Sequence, residues 1–358
     1  MTNTFGTRFR VSIFGTSHGP FVGAMVEGIP PRTPVDLAAV QKQLDRRRPG
    51  TSLLTSQRKE EDRLEVAEGI EDGVATGEPI VALIRNADVQ SKGYERYSRV
   101  PRPGHADFTA LMKYRGVSDL RGGGQLSGRM TAPMVAAGAI ARQVLEARGL
   151  AFYAHAIQIG SVRARPVPVE NVRAHVDDTP VRCADLEVAA KMVEEIDRAR
   201  RELDSVGGII EATVTGVPVG LGEPVFDSVE SVLSHLMFSI PAVKGVEFGA
   251  GFRAASMRGS EHNDPFVVRD GVVRTETNNA GGILGGITNG VPIVFRVVVK
   301  PTASIARTQK SVDLQTMTET EVEAKGRHDP CIVPRAVPVV ENVAAIGLLD
   351  LALQEGLM

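Results

Sequence analysis

Two short turns of this 358-residue chain each hold a histidine where acid–base chemistry could occur. In RPGHADF, residues 102–108, a proline and a glycine stop any regular element just before His105, and Asp107 follows. In GTSHG, residues 15–19, His18 lies in a turn after a strand-like segment. A histidine among anion-binding groups can give a proton to a leaving group. These turns are therefore candidate catalytic sites.

Arginines accompany these turns. The segments DRRRPG (45–50), RPGHADF and GRHDPCIVPRAVP (326–338) each lie beside proline and glycine. Arginine binds carboxylate and phosphate groups through two parallel hydrogen bonds. The pattern predicts a small substrate with several negative charges. It disfavours a metal site, because so many arginines would repel a cation and the His/Asp spacing is not typical of zinc sites.

Three further segments could contact a phosphate or a flat ring. RGGGQLSGRMTAP (121–133) has three successive glycines before a helix start, where backbone amides can meet an anion. NNAGGILGGITNG (278–290) is rich enough in glycine to pass close to a ring. KPTAS (300–304) places a lysine and two hydroxyls at the end of a predicted strand. Together they predict a phosphorylated ligand and a planar ligand.

The GTSHG turn also matches the G-x-S-x-G pattern of a hydrolase nucleophile, which would be Ser17. That motif must run straight into a helix, whereas Pro20 and the following FVGAMVEGIP indicate a strand. The alternative is that the two glycines let the backbone crowd a ligand. A serine esterase using Ser17, and a protein that binds RNA or another polyanion through its arginine-rich loops, remain competing hypotheses.

The composition narrows the class of protein. A net charge of −2 gives no global attraction to nucleic acid or to an anionic membrane. Aromatic residues make up 4% of the chain and tryptophan is absent, which argues against base-stacking surfaces. Cys183 and Cys331 are too few for a disulfide framework and fit a reducing compartment. We therefore expect a soluble, cytoplasmic protein that binds neither nucleic acid nor membrane.

Strand and helix signatures alternate along the chain without a regular βαβ period. FRVSIFG, FVGAMVEGI, PIVALI, GGIIEATVTGVPVG and VPIVFRVVVKP predict strands. Helices are predicted at TPVDLAAVQKQLDRRRPG, ADFTALMKY, APMVAAGAIARQVLEARG, DLEVAAKMVEEIDRARREL, 228–239 and ENVAAIGLLDLALQEG. In the first helix, Thr33 is the expected cap and Pro34 the first helical residue. Residues 49–131 are otherwise expected to be mostly irregular. The pattern predicts an α+β or layered α/β fold in a single domain, residues 1–358.

In this order and at these distances, FGTSHGPFVGAMVEGIPP, LDRRRPGTS, RPGHADF, RGGG, SGR, NNAGGILGGI, KPTAS and GRHDPCIVPRAVPVVE resemble the chorismate synthase family. The resemblance spans nearly the whole chain. It implies an α+β, β-α-β layered sandwich with helices packed between antiparallel or mixed sheets. It also implies a phosphate lyase that converts 5-enolpyruvylshikimate 3-phosphate to chorismate by 1,4-anti elimination. This is the last step of the shikimate pathway, in aromatic amino acid biosynthesis, and it requires reduced FMN without net redox change.

The resemblance also assigns residues. His18 would protonate the departing phosphate, His105 would lie beside flavin N1, and Asp329 would relay the proton removed from the substrate ring. The substrate anions would be bound by Arg47, Arg102, Arg129 and Arg335. The expected flavin contacts are Gln125, Leu126, Ser127, Pro241, Ala242, Gly285, Lys300, Pro301, Thr302, Ala303, Ser304 and Arg327.

Other expectations from the family concern partners and departures. A homotetramer is expected, with NADPH as an indirect electron source through an external flavin reductase, since the chain shows no reductase domain. Many relatives carry Arg-Ser-Ser-Ala-Arg-Glu-Thr where this chain has QLSGRMT, residues 125–131. Flavin contacts there would rest more on backbone amides and on Ser127. Leu53 replaces an arginine that is common in relatives.

Overall fold

The computed structural model of the chain describes residues 3–50, 54–55, 58, 60–88, 94–324, 326 and 328–357. Two five-stranded antiparallel sheets face each other across a layer of helices. The first sheet has the order β1-β2-β3-β7-β4 and the second has the order β11-β16-β10-β8-β9. Apolar side chains from both sheets and from the helices between them form one continuous core. The α+β layered sandwich is therefore confirmed.

The strands alternate buried and exposed residues, as expected for sheets with one face on the core. Their bounds are β1 (Thr4–Phe5), β2 (Arg10–Gly15), β3 (Phe21–Glu27), β4 (Leu64–Glu68), β5 (Ile70–Glu71), β6 (Val74–Ala75), β7 (Ile80–Arg85), β8 (Ala151–Ile159), β9 (Val162–Arg163), β10 (Gly208–Thr215), β11 (Val243–Phe248), β12 (Phe266–Arg269), β13 (Val272–Thr275), β14 (Ile283–Leu284), β15 (Ile287–Thr288), β16 (Ile293–Val299), β17 (Gln309–Asp313) and β18 (Thr318–Val322).

The central layer of the sandwich is helical. α3 packs against β3 and β7 of the first sheet, and α8 packs against β8 and β10 of the second sheet. α3 and α8 also pack on each other, and α1 and α6 pack against α8. The helices are α1 (Leu37–Arg47), α2 (Asp107–Tyr114), α3 (Thr131–Glu146), α4 (Val169–His175), α5 (Leu186–Arg201), α6 (Val229–Ser239), α7 (Gly259–His262) and α8 (Val333–Gln354).

The predicted cap of α1 is wrong. The helix begins at Leu37, and the Asp36 carboxylate accepts hydrogen bonds from the amides of Ala38 and Ala39. The Thr33 hydroxyl donates instead to the carbonyl of Pro30. Pro34 forms an isolated β-bridge with Val74, which keeps the chain extended up to Asp36. An aspartate three residues closer to the apolar stripe therefore replaces the threonine as cap.

The last helix is longer than predicted. α8 begins at Val333, eight residues before the predicted start, and includes Pro334 and Pro338. Pro334 lies in the first turn, where no intrahelical N–H bond is lost. Pro338 cannot donate to the Pro334 carbonyl, which accepts a 3.4 Å hydrogen bond from Arg182 instead. An external donor thus compensates for a proline that the sequence pattern treats as a helix breaker.

Strands were also missed. β4 lies within the stretch that was predicted to be irregular, and β8, which runs down the second sheet between β9 and β10, was not predicted. By length and composition α8 could cross a membrane, but 94% of its apolar window is buried in the protein. It is the core helix of the sandwich.

The crossing of α3 and α8 depends on Gly138. A Cβ placed at Gly138 would lie 2.1 Å from the carbonyl oxygen of Asn342, which is fully buried in α8. No Cβ fits at that distance, so the two helices can approach this closely only with glycine at the contact.

We predict that Gly138→Ala destabilises the protein although alanine is the better helix former. The expected loss in the free energy of unfolding is about 1–3 kcal/mol, because α8 must move away from α3. Denaturant unfolding measures this loss. The control is Gly259→Ala, since a Cβ at exposed Gly259 meets no atom within 4 Å and should leave stability unchanged. Equal stability of the two variants would contradict the packing argument.

Candidate active site

One cavity of about 790 Å³ gathers most of the predicted site residues. Its walls come from the turn after β2, the end of α1, the RPGHADF turn, the triple-glycine segment, the ends of α6 and β16, and the start of α8. The predicted residues that line it are His18, His105, Asp329, Arg47, Arg102, Arg129, Arg335, Gln125, Leu126, Ser127, Pro241, Ala242, Lys300, Pro301, Thr302, Ala303 and Ser304. Segments nearly 300 residues apart in sequence therefore meet at one place.

Of three further positions singled out in the sequence, one lies elsewhere in the fold and two lie outside the described residues. Gly285 does not line the cavity of this chain and lies in the turn between β14 and β15. Gly285 has a φ of +63° and Gly286 has a φ of +91°. The turn itself accounts for glycine at both positions, because other residues rarely adopt positive φ. The Gly286 carbonyl accepts a hydrogen bond from the Val229 amide at the start of α6. Arg327 and Leu53 lie outside the described residues.

The cavity is strongly positive. Among the described residues, seven arginine and lysine side chains line it against three carboxylates, those of Glu60, Asp88 and Asp329. Such a surplus in a concave site attracts anions and repels cations. The side-chain chemistry therefore favours a small ligand with several negative charges.

The triple glycine packs against the GTSHG turn. Gly122, Gly123 and Gly124 all have positive φ, and a Cβ at Gly122 would lie 2.3 Å from His18 Nε2. The backbone of these three glycines is not helical, and α3 begins only at Thr131. Glycine is needed in this segment because the backbone passes very close to His18. The prediction that these glycines directly precede a helix N-terminus that binds an anion is wrong, because α3 begins several residues later.

His18 has a lowered pKa. Its partial burial has the largest effect, and the nearby positive charges of Arg58 and Arg121 lower the pKa further, while Asp119 partly opposes them. The ring edge meets the ring of Tyr94, with centroids 5.2 Å apart. In the ligand-free protein His18 is therefore mainly neutral at neutral pH.

The hydrolase reading of GTSHG is wrong. The turn leads into strand β3, whereas a nucleophile elbow must lead into a helix. Ser17 is 1% exposed, and its hydroxyl has no hydrogen-bond partner among the described residues. A buried hydroxyl that bonds no base cannot act as an activated nucleophile.

Arg47 is a buried cation with free donors. Its side chain is 2% exposed, and its Nη2 lies 3.3 Å from Asp62 Oδ2. Within the described part of the chain, its Nε and Nη1 have no hydrogen-bond partner. Burial, together with Arg335 and Arg129, lowers the pKa of Arg47 to about 9 against the opposing effect of Asp62, so it stays protonated at neutral pH. These donors are preorganised for an anion.

Arg129 is held by protein groups instead. Its Nε donates to Asn86 at 2.8 Å, its Nη2 donates to the carbonyl of Arg85 at 3.0 Å, and its Nη1 donates to Asp62. Burial alone would raise the pKa of Asp62, but Arg47 and Arg129 hold it below its usual range. Asp62 is thus the shared counter-ion of two cavity arginines.

Arg102 is also bound internally. Its Nε and its backbone amide donate to Asp107 Oδ2, and its Nη2 donates to Asp107 Oδ1 at 2.8 Å. Its Nη1 donates to the Ser304 hydroxyl at 2.9 Å, and its guanidinium lies 4.3 Å from the Tyr97 ring centroid. Arg102 therefore supports the cavity wall, whereas the sequence predicted that it binds substrate.

His105 stands beside the same carboxylate, with its Nδ1 2.7 Å from Asp107 Oδ1. Hydrogen bonds from Arg102 and His105 outweigh the effect of burial and hold the pKa of Asp107 well below its usual range. His328 also lines the cavity, and burial with the charge of Arg102 lowers its pKa to about 4. Asp107 is therefore a permanent anion and His328 a neutral ring at neutral pH.

Asp329 pairs with Arg335 across the start of α8, with Arg335 Nη1 2.7 Å from Asp329 Oδ2. Arg335 Nε donates to the carbonyl of Arg47 at 3.1 Å. This bond ties the predicted proton relay to the end of α1, where the unpartnered guanidinium donors lie.

A further part of the cavity suits a flat phosphorylated ligand. Phe238, Ile240, Pro241 and Ala242 form an apolar wall after α6. Lys300 donates to the carbonyl of Gly104, and burial with the charge of Lys244 lowers its pKa. The buried Thr302 hydroxyl has no partner among the described residues. An apolar shelf thus lies near a lysine and an unpartnered hydroxyl.

Sequence reasoning missed Asp62, Glu60 and the role of Asp107. Asp62 and Glu60 lie in a run of charges, RKEED (58–62), that looks like a solvated loop. Both are nearly fully buried, and Glu60 accepts bonds from Arg58 and from the Ala87 amide. One argument could have pointed to these acids: an arginine that is buried in the cavity needs a nearby carboxylate as its counter-ion.

The comparisons with known proteins agree with this geometry. The family described as chorismate synthase matches residues 9–353. The chain belongs to the chorismate synthase family. It is accordingly an enzyme and a lyase.

The relatives and the structural neighbour match over their whole length. The chain is 50% identical to the chorismate synthase of Methanocella arvoryzae, over 99% of this chain and 95% of that one. It is 52% identical to that of Korarchaeum cryptofilum, over 97% and 96% respectively. A crystal structure titled as chorismate synthase superposes with a TM-score of 0.78 and 29% identity, covering 98% of this chain and 93% of the other.

We predict that Asp62→Asn destabilises the protein by about 3–5 kcal/mol at neutral pH, because Arg47 and Arg129 lose their buried counter-ion. The folded pKa of Asp62 lies below the ordinary value of 3.8, so its contribution is complete above that pH and is lost as the pH falls through the folded pKa. Unfolding curves at several pH values measure the difference between wild type and variant.

The control for this experiment is Asp45→Asn on α1, the helix that carries Arg47, where the exposed carboxylate lies 3.9 Å from Arg48. We expect a change below about 1 kcal/mol. An Asp62 effect that does not shrink in acid would show that its charge is not what stabilises the site.

Proposed function

We propose that this enzyme catalyses the 1,4-anti elimination of phosphate from 5-enolpyruvylshikimate 3-phosphate, giving chorismate, with reduced FMN as the required cofactor. This would be the last step of the shikimate pathway. The observation that carries the proposal is the buried guanidinium of Arg47, whose Nε and Nη1 have no hydrogen-bond partner among the described residues, in the same positive cavity as His18 and His105. The substrate carries one phosphate and two carboxylates. Their negative charge would balance the surplus positive charge of the cavity.

Substrate binding would fall mainly to Arg47 and Arg335. Nε and Nη1 of Arg47 have no hydrogen-bond partner among the described residues, and Arg335, whose Nε and Nη1 bond protein groups, lines the same cavity. Arg129 and Arg102 contribute charge and hold the wall in place. Because these groups are fixed before the ligand arrives, binding requires little rearrangement of charge.

Reduced FMN would be held by residues 300–304, by Gln125, Leu126 and Ser127, and by Pro241 and Ala242. The fit is supported by the apolar wall after α6, by Lys300, and by the Thr302 hydroxyl that lacks a partner. Where relatives have arginine and serine at 125 and 126, this chain has Gln125 and Leu126, so polar contacts there would come from the backbone and Ser127. When bound, the reduced cofactor supplies an electron-rich ring that can stabilise electron deficiency in the substrate.

His18 would protonate the leaving phosphate. Its pKa is lowered in the ligand-free cavity by burial and by positive neighbours. A bound phosphate brings negative charge next to the ring, which raises the pKa and favours the imidazolium. The proton is then available to the phosphate oxygen as its bond to carbon breaks. The bound leaving group thus favours the charged form of His18.

The proton that the substrate ring loses would be taken up by a residue other than His18. Asp329, held by Arg335, would relay the proton lost from the substrate ring, and His105 would hold a proton at the cofactor side. Orientation of the ligands by the arginines and preorganised charge would provide most of the rate enhancement.

The setting of the enzyme follows from the same proposal. NADPH would reduce the flavin indirectly, through an external reductase, and the enzyme would act in the cytoplasm as a homotetramer. The β12–β13 hairpin supports self-association, because Phe266, Val268, Val272 and Val273 are each more than half exposed. Apolar patches of this kind usually mark interfaces.

We predict phosphate release from 5-enolpyruvylshikimate 3-phosphate under anaerobic conditions with chemically reduced FMN and none with oxidised FMN. His18→Gln should lower kcat by about 100- to 10,000-fold, because the leaving group loses its acid. His175→Gln is the matched control, since its side chain lies outside the cavity, is 42% exposed and pairs with Asp178. Release of phosphate with either form of FMN, or from His18→Gln at the wild-type rate, would contradict the proposal.

A further inference from the structure

Asp107 and Arg102 form a buried ion pair with several hydrogen bonds, next to His105. The carboxylate accepts three hydrogen bonds from Arg102, from its backbone amide, Nε and Nη2. Both residues are about 95% buried, and the pair is closed by the Tyr97 ring and the Ser304 hydroxyl. A carboxylate held at three points cannot turn away from the imidazole beside it.

The geometry around His105 Nδ1 determines which ring nitrogen carries hydrogen. Asp107 Oδ1 lies 2.7 Å from Nδ1, and Arg102 Nη2 lies 3.2 Å from it. A carboxylate only accepts and a guanidinium only donates. An unprotonated Nδ1 would face the carboxylate oxygen as a second acceptor at 2.7 Å, which is repulsive. The shorter contact therefore decides, and Nδ1 carries the hydrogen.

The other edge of the ring faces the ligand cavity. A Cβ at Gly123 would lie 3.9 Å from His105 Nε2 and Cε1, so this edge borders the triple-glycine turn. His105 is one of the residues that line the cavity. With Nδ1 occupied, Nε2 is the nitrogen that can exchange a proton with a bound ligand.

We infer that Asp107 is a positioning residue for His105, one that fixes Nδ1 as the protonated nitrogen and presents Nε2 to the cavity, and that Arg102 holds Asp107 in place. The inference depends on the proposed function only where it predicts an effect on turnover. Asp107 itself touches no ligand, because its two oxygens are occupied by Arg102 and His105.

An Asp107→Asn variant should reverse the tautomer. The amide oxygen replaces Oδ2, where it accepts from the Arg102 amide and Nε, because the opposite orientation would set the NH₂ group against both donors. The NH₂ group then faces Nδ1 and donates to it, so that the neutral ring must carry its hydrogen on Nε2. Nε2 would lose its ability to accept a proton from a ligand.

The test is solid-state ¹⁵N NMR of ligand-free protein labelled in histidine, above about pH 9, where an ordinary imidazole is neutral. The His105 signals are assigned by difference with His105→Gln. We expect a protonated Nδ1 in wild type and a protonated Nε2 in Asp107→Asn. A protonated Nε2 in wild type overturns the inference without any variant, and a protonated Nδ1 kept in both Asp107→Asn and Asp107→Ala also overturns it.

The matched control is Asp185→Asn. Asp185 accepts from the backbone amide, Nε and Nη2 of Arg165 in the same way, but no histidine stands beside it. This variant should leave the His105 signals and the turnover unchanged. A loss of turnover equal to that of Asp107→Asn would assign the effect to the loss of any buried carboxylate that pairs with an arginine, and would overturn the positioning role.

For turnover with reduced FMN, Asp107→Asn should lower kcat by about 10- to 100-fold with little change in the KM for 5-enolpyruvylshikimate 3-phosphate, because the substrate arginines are untouched. A raised KM with unchanged kcat would contradict the positioning role. If wild type itself releases no phosphate, the proposed function fails, whereas the NMR result still decides the role of Asp107.

Discussion

The site depends on the cost of burying Arg47 at the end of α1. A guanidinium that is 2% exposed needs a nearby negative charge, and Asp62 is that charge. Asp62 is shared with Arg129, so a single carboxylate partly neutralises two cations. Nε and Nη1 of Arg47, which have no hydrogen-bond partner among the described residues, would be available to an anion bound in the cavity. Ligand binding therefore completes an electrostatic network that the folded protein leaves incomplete.

The arginines of the cavity divide into two kinds by their partners. Arg102 and Arg129 use their donors on carboxylates, a carbonyl, an amide oxygen and a hydroxyl, and so they set the shape of the wall. Arg47 keeps donors free, and Arg335 links Asp329 to the end of α1. The same residue type thus supplies both the scaffold and the binding groups. The two kinds differ in how many of their donors already bond protein groups, not in their position in a motif.

Much of the architecture could be predicted because local patterns agree with the tertiary structure. The alternation in β2 and β3 and the apolar stripes of α3 and α5 follow from burial on one face. The start of α8 was missed because Pro334 and Pro338 signal a break, and only Arg182, which is distant in sequence, satisfies the carbonyl that Pro338 leaves without a donor. Such compensation between remote residues leaves no local signal.

The sequence predicted most of the residues that line the cavity, but not the hydrogen-bond and ion-pair partners that hold them. Motifs with turns, histidines and arginines converge on one cavity, as the sequence suggested. The partners of Arg102 and Arg129 were not predicted, because Asp62 lies in a charged run that looks like a solvated loop and Asp107 was linked in sequence with His105 rather than with Arg102. Gly285 was placed in the site on a motif whose glycines are explained here by positive φ in a hairpin turn.

The most direct test of the electrostatic account is the affinity of the ligand-free protein for 5-enolpyruvylshikimate 3-phosphate, measured by calorimetry for wild type and Arg47→Lys. Lysine keeps the charge but loses the two free guanidinium donors, so the account predicts a Kd about 10- to 100-fold higher. Arg48→Lys, on the adjacent and more exposed position, should bind as wild type does. An unchanged Kd in Arg47→Lys would contradict the claim that this buried guanidinium is the preorganised anion site.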